Sequence, residues 1–184
     1  MKNQTKLIII TGPSGVGKGT VVKRVLHKNK KLWLSISATT RNPRPGEING
    51  EHYYFLSNEK FQEMIKNNLL LEWAEFAGNY YGTPLEFVDK KIKSGYNVIL
   101  EIEVEGARQI KEKFPNSLSI FLLPPNLKEL EKRIRNRATE SEKAISKRLE
   151  RSKFEISCSN DFDFVITNEN LDETIQKVDE IIKI

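Results

Sequence analysis

Residues 12–20 read GPSGVGKGT, and the glycine at position 12, the glycine at 17 and the lysine at 18 follow the spacing G-x-x-x-x-G-K of a phosphate-binding loop. Each residue type has a physical task. Gly12, Gly15 and Gly17, with Pro13, Ser14 and Val16 between them, let the backbone curl so that successive N–H groups point inward at an anion. Lys18 adds a mobile point charge that can follow phosphate oxygens. A helix opening at Lys18 contributes its positive N-terminus to the same point. The stretch therefore suits a nucleoside triphosphate, and the alternative of a plain glycine-rich turn does not explain the lysine. One position departs from the pattern: Gly19 stands where Ser or Thr usually supplies a hydroxyl to magnesium, and Thr20 follows it. An ion here is left to phosphate oxygens and water, in keeping with the reluctance of magnesium to dehydrate.

Two further groups of polar residues could take part. Residues 37–55, SATTRNPRPGEINGEHYYF, carry Arg41, Arg44, Glu47 and Tyr53 on a turn-rich excursion, and a second tyrosine pair, Tyr80 and Tyr81, follows later. Guanidinium forks and phenol hydroxyls both donate to phosphate oxygens. The group reads equally well as a second phosphate site or as a surface salt-bridge loop. Glu101 and Glu103 end the apolar run 98–102, which is where folds with a phosphate loop place the acid that meets magnesium or its waters.

The elements that must position these residues alternate strand and helix. The pattern predicts a first strand over 7–10, a helix from about 18 to 26 and a second short strand near 32–36. A helix follows over about 59–67 with Ser57 as its cap. TPLE at 83–86 has the form of a capping box, with Thr83 as N-cap and Pro84 at the first helical position, for a helix stopping at Gly95. Strands over 98–102, 118–123 and 164–167 are interleaved with helices near 106–113, after Asn126, after Lys143 and over 172–182. This alternation predicts an α/β fold with a parallel sheet covered on both faces and two inserted pieces.

Length and composition narrow the class. The 184 residues suit one domain with a real core. No apolar run approaches the length of a membrane span or a signal peptide, so a cytoplasmic protein without a membrane partner is expected. Cys158 is the only cysteine, which excludes an internal disulfide and a cysteine metal site. The net charge of +5, from 30 basic and 25 acidic residues, suits polyanionic partners. The lysines are spread along helical surfaces without interleaved aromatics, so nucleic acid is not expected.

Taken in order and spacing, GPSGVGKGT, SATTRNPRPGEINGEHYYF, EWAEFAGNYYGTP, ILEIEVEGA and the stretch 137–148 resemble the guanylate kinases, the P-loop family that phosphorylates GMP. The resemblance covers nearly the whole chain. It implies a P-loop NTPase core over 1–36 and 84–184 with the ATP site, a GMP-binding insertion of mixed β and α structure over 37–83, and a short helical lid over 137–147. It implies ATP with Mg2+ and GMP or dGMP as small-molecule partners, and it leaves monomer or homo-oligomer open. Arg41, Arg44, Tyr53 and Tyr81 match the residues that hold the GMP phosphate, with Glu47 and Glu101 on the same side; Ser37, Glu72 and Thr83 match those that read guanine. Arg133 and Asn168 fall on the ATP side, together with the loop from Gly12 to Thr20. Arg137 and Arg148 match arginines that close over the transferring phosphoryl group, and Lys18 and Arg44 complete the expected catalytic set. Thr20, Glu101 and Glu103 are the expected contacts of magnesium, through water. Glu101 and Glu103 stand where the family more often has aspartates, and Gly19 is the other departure, one that adenylate kinases share.

Glu72 also makes chemical sense without the resemblance. Guanine presents N1–H and N2–H donors along one edge, and one carboxylate can accept both. Adenine has an acceptor at N1, which would oppose the carboxylate and leave it unpaired. Two rival readings remain at this point: an inactive phosphopeptide-binding module of the same fold, and a P-loop kinase for another nucleoside monophosphate. The intact loop with Lys18 argues against the first, and Glu72 against the second.

Overall fold

The computed structural model describes residues 6–76, 78–136 and 142–184. The chain runs β1 (Leu7–Thr11), α1 (Lys18–Lys28), β2 (Leu32–Leu34), β3 (Ala38–Thr39), β4 (Tyr54–Phe55) and α2 (Asn58–Lys66). It continues through β5 (Leu70–Phe76), β6 (Asn79–Pro84), α3 (Leu85–Lys93), β7 (Asn97–Glu101) and α4 (Val104–Lys113). The last elements are β8 (Leu118–Leu123), α5 (Leu127–Arg135), α6 (Glu142–Ser157), β9 (Phe164–Thr167) and α7 (Leu171–Ile182).

Five strands form a parallel sheet in the order β2-β7-β1-β8-β9. Its central strand reads LIIIT and is buried throughout, as a strand covered on both faces must be. Alternate residues serve opposite faces. Ile8 and Ile10 pack with Val21, Val22 and Val25 of α1 and with Ile175 and Val178 of α7. Leu7 and Ile9 pack with Val88 of α3 and with Val104, Ala107 and Ile110 of α4. Fully burying such a side chain contributes roughly 1.5–3 kcal/mol, so this layer dominates the stability of the core.

A second sheet, ordered β4-β3-β6-β5, mixes a parallel pair with two antiparallel ones. It rests on α2 through Phe61, with Ala38 and Leu70. Helices α5 and α6 share a third small core of Leu130, Ile134 and Ile145. Among the described residues no helix is long and apolar enough to cross a membrane.

Local signals in the sequence set most boundaries. Ser57 accepts the Lys60 N–H at 3.3 Å, and Asn126 accepts that of Glu129 at 2.8 Å. Gly95 follows α3 with φ +84°. The expected capping box at 83–86 is absent. Thr83 lies in β6, Pro84 is the N-cap and makes no side-chain cap bond. The Thr83 hydroxyl donates instead to Glu72 at 2.6 Å and so supplies a partner to a carboxylate that burial would otherwise leave unsatisfied.

Candidate active site

The phosphate loop leaves the carboxyl end of β1 and enters α1, the position at which open parallel sheets present ligand sites. Gly12 has φ +144°, and a Cβ on it would meet the Leu122 carbonyl oxygen at 2.3 Å, so only glycine fits. Lys18 is folded back onto the loop it serves. Its Nζ donates to the Gly12 carbonyl at 2.5 Å and lies 3.9 Å from Glu103. An incoming anion would draw the ammonium off this carbonyl.

Two side chains brace the loop from behind. The Asn168 amide donates to the Val16 carbonyl at 2.8 Å, and the Arg133 guanidinium reaches the same oxygen at 3.4 Å. The Asn168 amide nitrogen is thus committed to loop backbone, and Asn168 is only 6% exposed. Ser14 accepts from Arg148 of α6 at 2.5 Å, which ties the loop to that helix.

Between the two sheets and α6 lies a cavity of about 640 Å3. It gathers Ser37, Arg41, Arg44, Tyr53, Glu72 and Tyr81 from the excursion, and Glu101, Glu103, Ser14 and Arg148 from the core. Residues as far apart in the chain as Ser14 and Arg148 meet here. Lys18 and Thr83 stand just behind the lining, each in contact with a residue that forms it. Thr20 is exposed on the first turn of α1. Arg137 and the first half of the expected lid, 137–141, lie outside the described residues.

Glu47 has a different place from its neighbours. It does not line the cavity; it grips Arg41 in a two-pronged pair, with both distances 2.9 Å, and accepts the Arg44 N–H at 2.7 Å. The Arg41 fork, aided by that backbone bond, holds the Glu47 carboxyl below the usual range. Glu47 therefore sets the arginines. Arg41 also lies over the Tyr53 ring at 5.4 Å, and Tyr53 meets Tyr81 edge to face with centroids 6.2 Å apart. Burial, with Glu101 nearby, pushes the Tyr53 hydroxyl up to about 12, so it remains a donor at neutral pH.

Glu72 is 4% exposed. A register shift between Leu70 and Trp73, opposite Pro84 and Gly82, puts one extra residue in β5 and turns the Glu72 side chain toward the cavity. Burial pushes its carboxyl up to about 7, opposed by the Thr83 hydrogen bond and the Lys113 charge.

Across the loop, residues beyond those expected from the sequence complete the charge pattern. Arg151 of α6 pairs with Glu105 and with Glu155, the latter at 3.3 Å. Glu155 is 1% exposed. Burial and the charge of Glu103 push its carboxyl up to about 7. Helical spacing alone places Glu155 near the charged face and gives no sign of its burial.

A family model described as guanylate kinase matches residues 4–184. The chain belongs to the guanylate kinase family. It is 68% identical over 183 residues to a guanylate kinase of Prochlorococcus marinus (strain MIT 9312), with 100% of each chain covered. A guanylate kinase of Nostoc sp. (strain PCC 7120) is 55% identical over 174 residues, which cover 95% of this chain and 87% of that one. The crystal structure of guanylate kinase from Anaplasma phagocytophilum matches with a TM-score of 0.81 at 31% identity, covering 100% of this chain and 87% of that chain. The α/β core expected from the sequence is thus the P-loop fold of the guanylate kinase family.

The two departures from the guanylate kinase pattern are neighbours in space. A Cβ on Gly19 would lie 3.5 and 3.6 Å from the two Glu101 carboxylate oxygens. The glutamate, one methylene longer than aspartate, brings its carboxylate over the turn where the missing hydroxyl would stand. Among the described residues no three His, Cys, Asp or Glu side chains converge as an ion cage. A pair of carboxylates beside a phosphate loop fits magnesium, which keeps most of its waters and takes phosphate oxygens as partners.

Proposed function

We infer that this protein is an ATP:GMP phosphotransferase, which moves the ATP γ-phosphoryl group in line to GMP, and to dGMP, giving ADP and GDP. The observation that carries this reading is one continuous cavity with a buried carboxylate, Glu72, toward one side and the phosphate-loop residue Ser14, held by Arg148, toward the other. A base-reading group and a phosphate-binding group in one cavity suit two nucleotides facing each other.

On this reading the roles follow from donor chemistry. Glu72, with Ser37 and Thr83, takes the guanine edge; Arg41, Arg44, Tyr53 and Tyr81 donate to the GMP phosphate, with Glu47 holding the arginines in place. The loop from Gly12 to Thr20, braced by Arg133 and Asn168, receives the ATP phosphates. Lys18, Arg148 and Arg137 neutralise the transferring group. Magnesium, when bound with ATP, would offset phosphate charge, and Glu101 and Glu103 would hold it through its waters, with Thr20 close to the same turn. Residues 37–83 would act as the GMP-binding unit, and residues 137–147 as a lid whose closure excludes water.

No general base is required. A phosphate monoester with a second pKa of about 6 is mostly dianionic at neutral pH and already nucleophilic. The obstacle is bringing two polyanions together. Holding them in line can supply about 7–11 kcal/mol of the barrier at best. The proposed setting is purine nucleotide metabolism in the cytoplasm, in keeping with a lone cysteine that has no disulfide partner.

The test is an ADP-release assay with ATP, magnesium and each nucleoside monophosphate in turn, with Lys18→Met as control. Lysine-dependent turnover of GMP and dGMP alone is the expected result. Equal turnover of AMP or a pyrimidine monophosphate would overturn the assignment of the acceptor.

A further inference from the structure

Helix α4 contains Gly106, although glycine is the weakest helix former except proline. The reason lies across the interface. A Cβ at position 106 would stand 2.1 Å from Glu72 Oε2 and 2.9 Å from its Cδ. Turning the carboxylate about its terminal bond relieves only the oxygen, so the whole head group would have to move and give up the 2.6 Å bond from Thr83.

The same face of α4 holds the backbone on both sides of Glu72. Gln109 Nε2 donates to the Trp73 carbonyl at 2.7 Å, and its Oε1 accepts the Trp73 N–H at 3.2 Å. Lys113 Nζ donates to the Leu71 carbonyl at 2.8 Å. Positions 106, 109 and 113 follow the i, i+3, i+7 spacing of one helical stripe. Their partners are the residues of the β5 register shift, which has lost part of its regular ladder bonding. The stripe replaces that bonding and seats the side chain between its two neighbours.

We propose that the α4 stripe Gly106, Gln109 and Lys113 determines guanine specificity by holding the Glu72 carboxylate in register with the base edge, Gly106 by leaving room for it and Gln109 and Lys113 as positioning residues. The inference rests on the reading of Glu72 as the group that accepts from guanine. A carboxylate shifted by an ångström still meets one N–H donor and loses the other. The discriminating probe is therefore IMP, which keeps N1–H and lacks the exocyclic amine.

The experiment measures kcat/KM for GMP and for IMP, at saturating ATP, in the full-length wild type and in Gly106→Ala, Gln109→Leu and Glu72→Gln, with Tm and the KM for ATP recorded for each. Gly106→Ala and Gln109→Leu should each lower the GMP-to-IMP preference roughly tenfold, the worth of one charge-assisted hydrogen bond, with the KM for ATP unchanged. A purely structural role would lower Tm and leave the preference intact. If Gly106→Ala does not fold, Gln109→Leu decides alone. Wild-type preference in the α4 variants, with preference lost in Glu72→Gln, overturns the role of α4 only; preference retained in Glu72→Gln overturns the reading of Glu72 itself.

Discussion

The phosphate-loop end of the cavity and the end proposed to read the base are built by opposite means. The loop is nine consecutive residues, 12–20, whose binding groups are backbone amides and one lysine. The other end is assembled from Glu72 of β5, Thr83 of β6 and Gly106 of α4, and its proposed binding group is the buried Glu72 carboxyl. A local loop tolerates change in its surroundings as long as its glycines and lysine remain. A carboxyl taken out of water depends on every neighbour that seats it, and it makes the site sensitive to pH.

The largest expected effect lies at the loop. Lys18→Met should lower kcat by roughly 10²–10³, the usual cost of removing one preorganised donor to developing charge, with Tm near wild type. Such a loss in kcat with an unaltered KM for GMP would keep the two ends separate; a parallel loss in GMP affinity would merge them.

Glu72→Gln should act at the other end. An amide cannot accept from both guanine donors, so kcat/KM for GMP should fall about 10²-fold while ATP affinity holds. Stability should move the other way. In the unfolded chain Glu72 ionises near the ordinary value of about 4.3, whereas burial keeps its acid form up to about 7 in the folded protein. Its contribution is fully present below the lower value and is lost as pH rises through the upper one. The Tm of Glu72→Gln should therefore match wild type near the lower value, exceed it increasingly up to about 7 and hold that excess above it.

The same linkage predicts a pH effect on the substrate. On the proposed role of Glu72, guanine takes the ionised carboxylate, so below about 7 GMP binding is expected to expel a proton. The KM for GMP should rise as pH falls, by up to about tenfold per unit, and Glu72→Gln should remove that slope. GMP's own phosphate titrates near 6 in both proteins, so the difference between the two profiles isolates Glu72.

Smaller effects should follow from residues that act through others. Glu47→Gln would loosen Arg41 and raise the KM for GMP several-fold, leaving the KM for ATP unchanged. Gly19→Ser should be nearly silent, because its Cβ would lie at an ordinary contact distance from Glu101. A change of more than about threefold in the magnesium dependence of turnover would show that Glu101 and a hydroxyl compete for the same place.

The amino-acid sequence by itself determined the phosphate loop, the alternating strands and helices, and the caps at Ser57 and Asn126, because each depends on residues within a few positions of one another. The order of the polar stretches pointed to the guanylate kinase family, and the comparisons bear that out. Tertiary structure decided the rest. It turned the Thr83 hydroxyl to donate to Glu72 rather than to accept a helix N–H, since a carboxylate buried without a donor costs more than an N–H that solvent can reach. It set Gly19 beside Glu101, enclosed Glu155, and pressed Gly106 against a carboxylate 34 positions earlier in the chain. Contacts of that kind depend on the spacing between packed elements, and hydrophobic periodicity carries no record of which side chain waits on the other face.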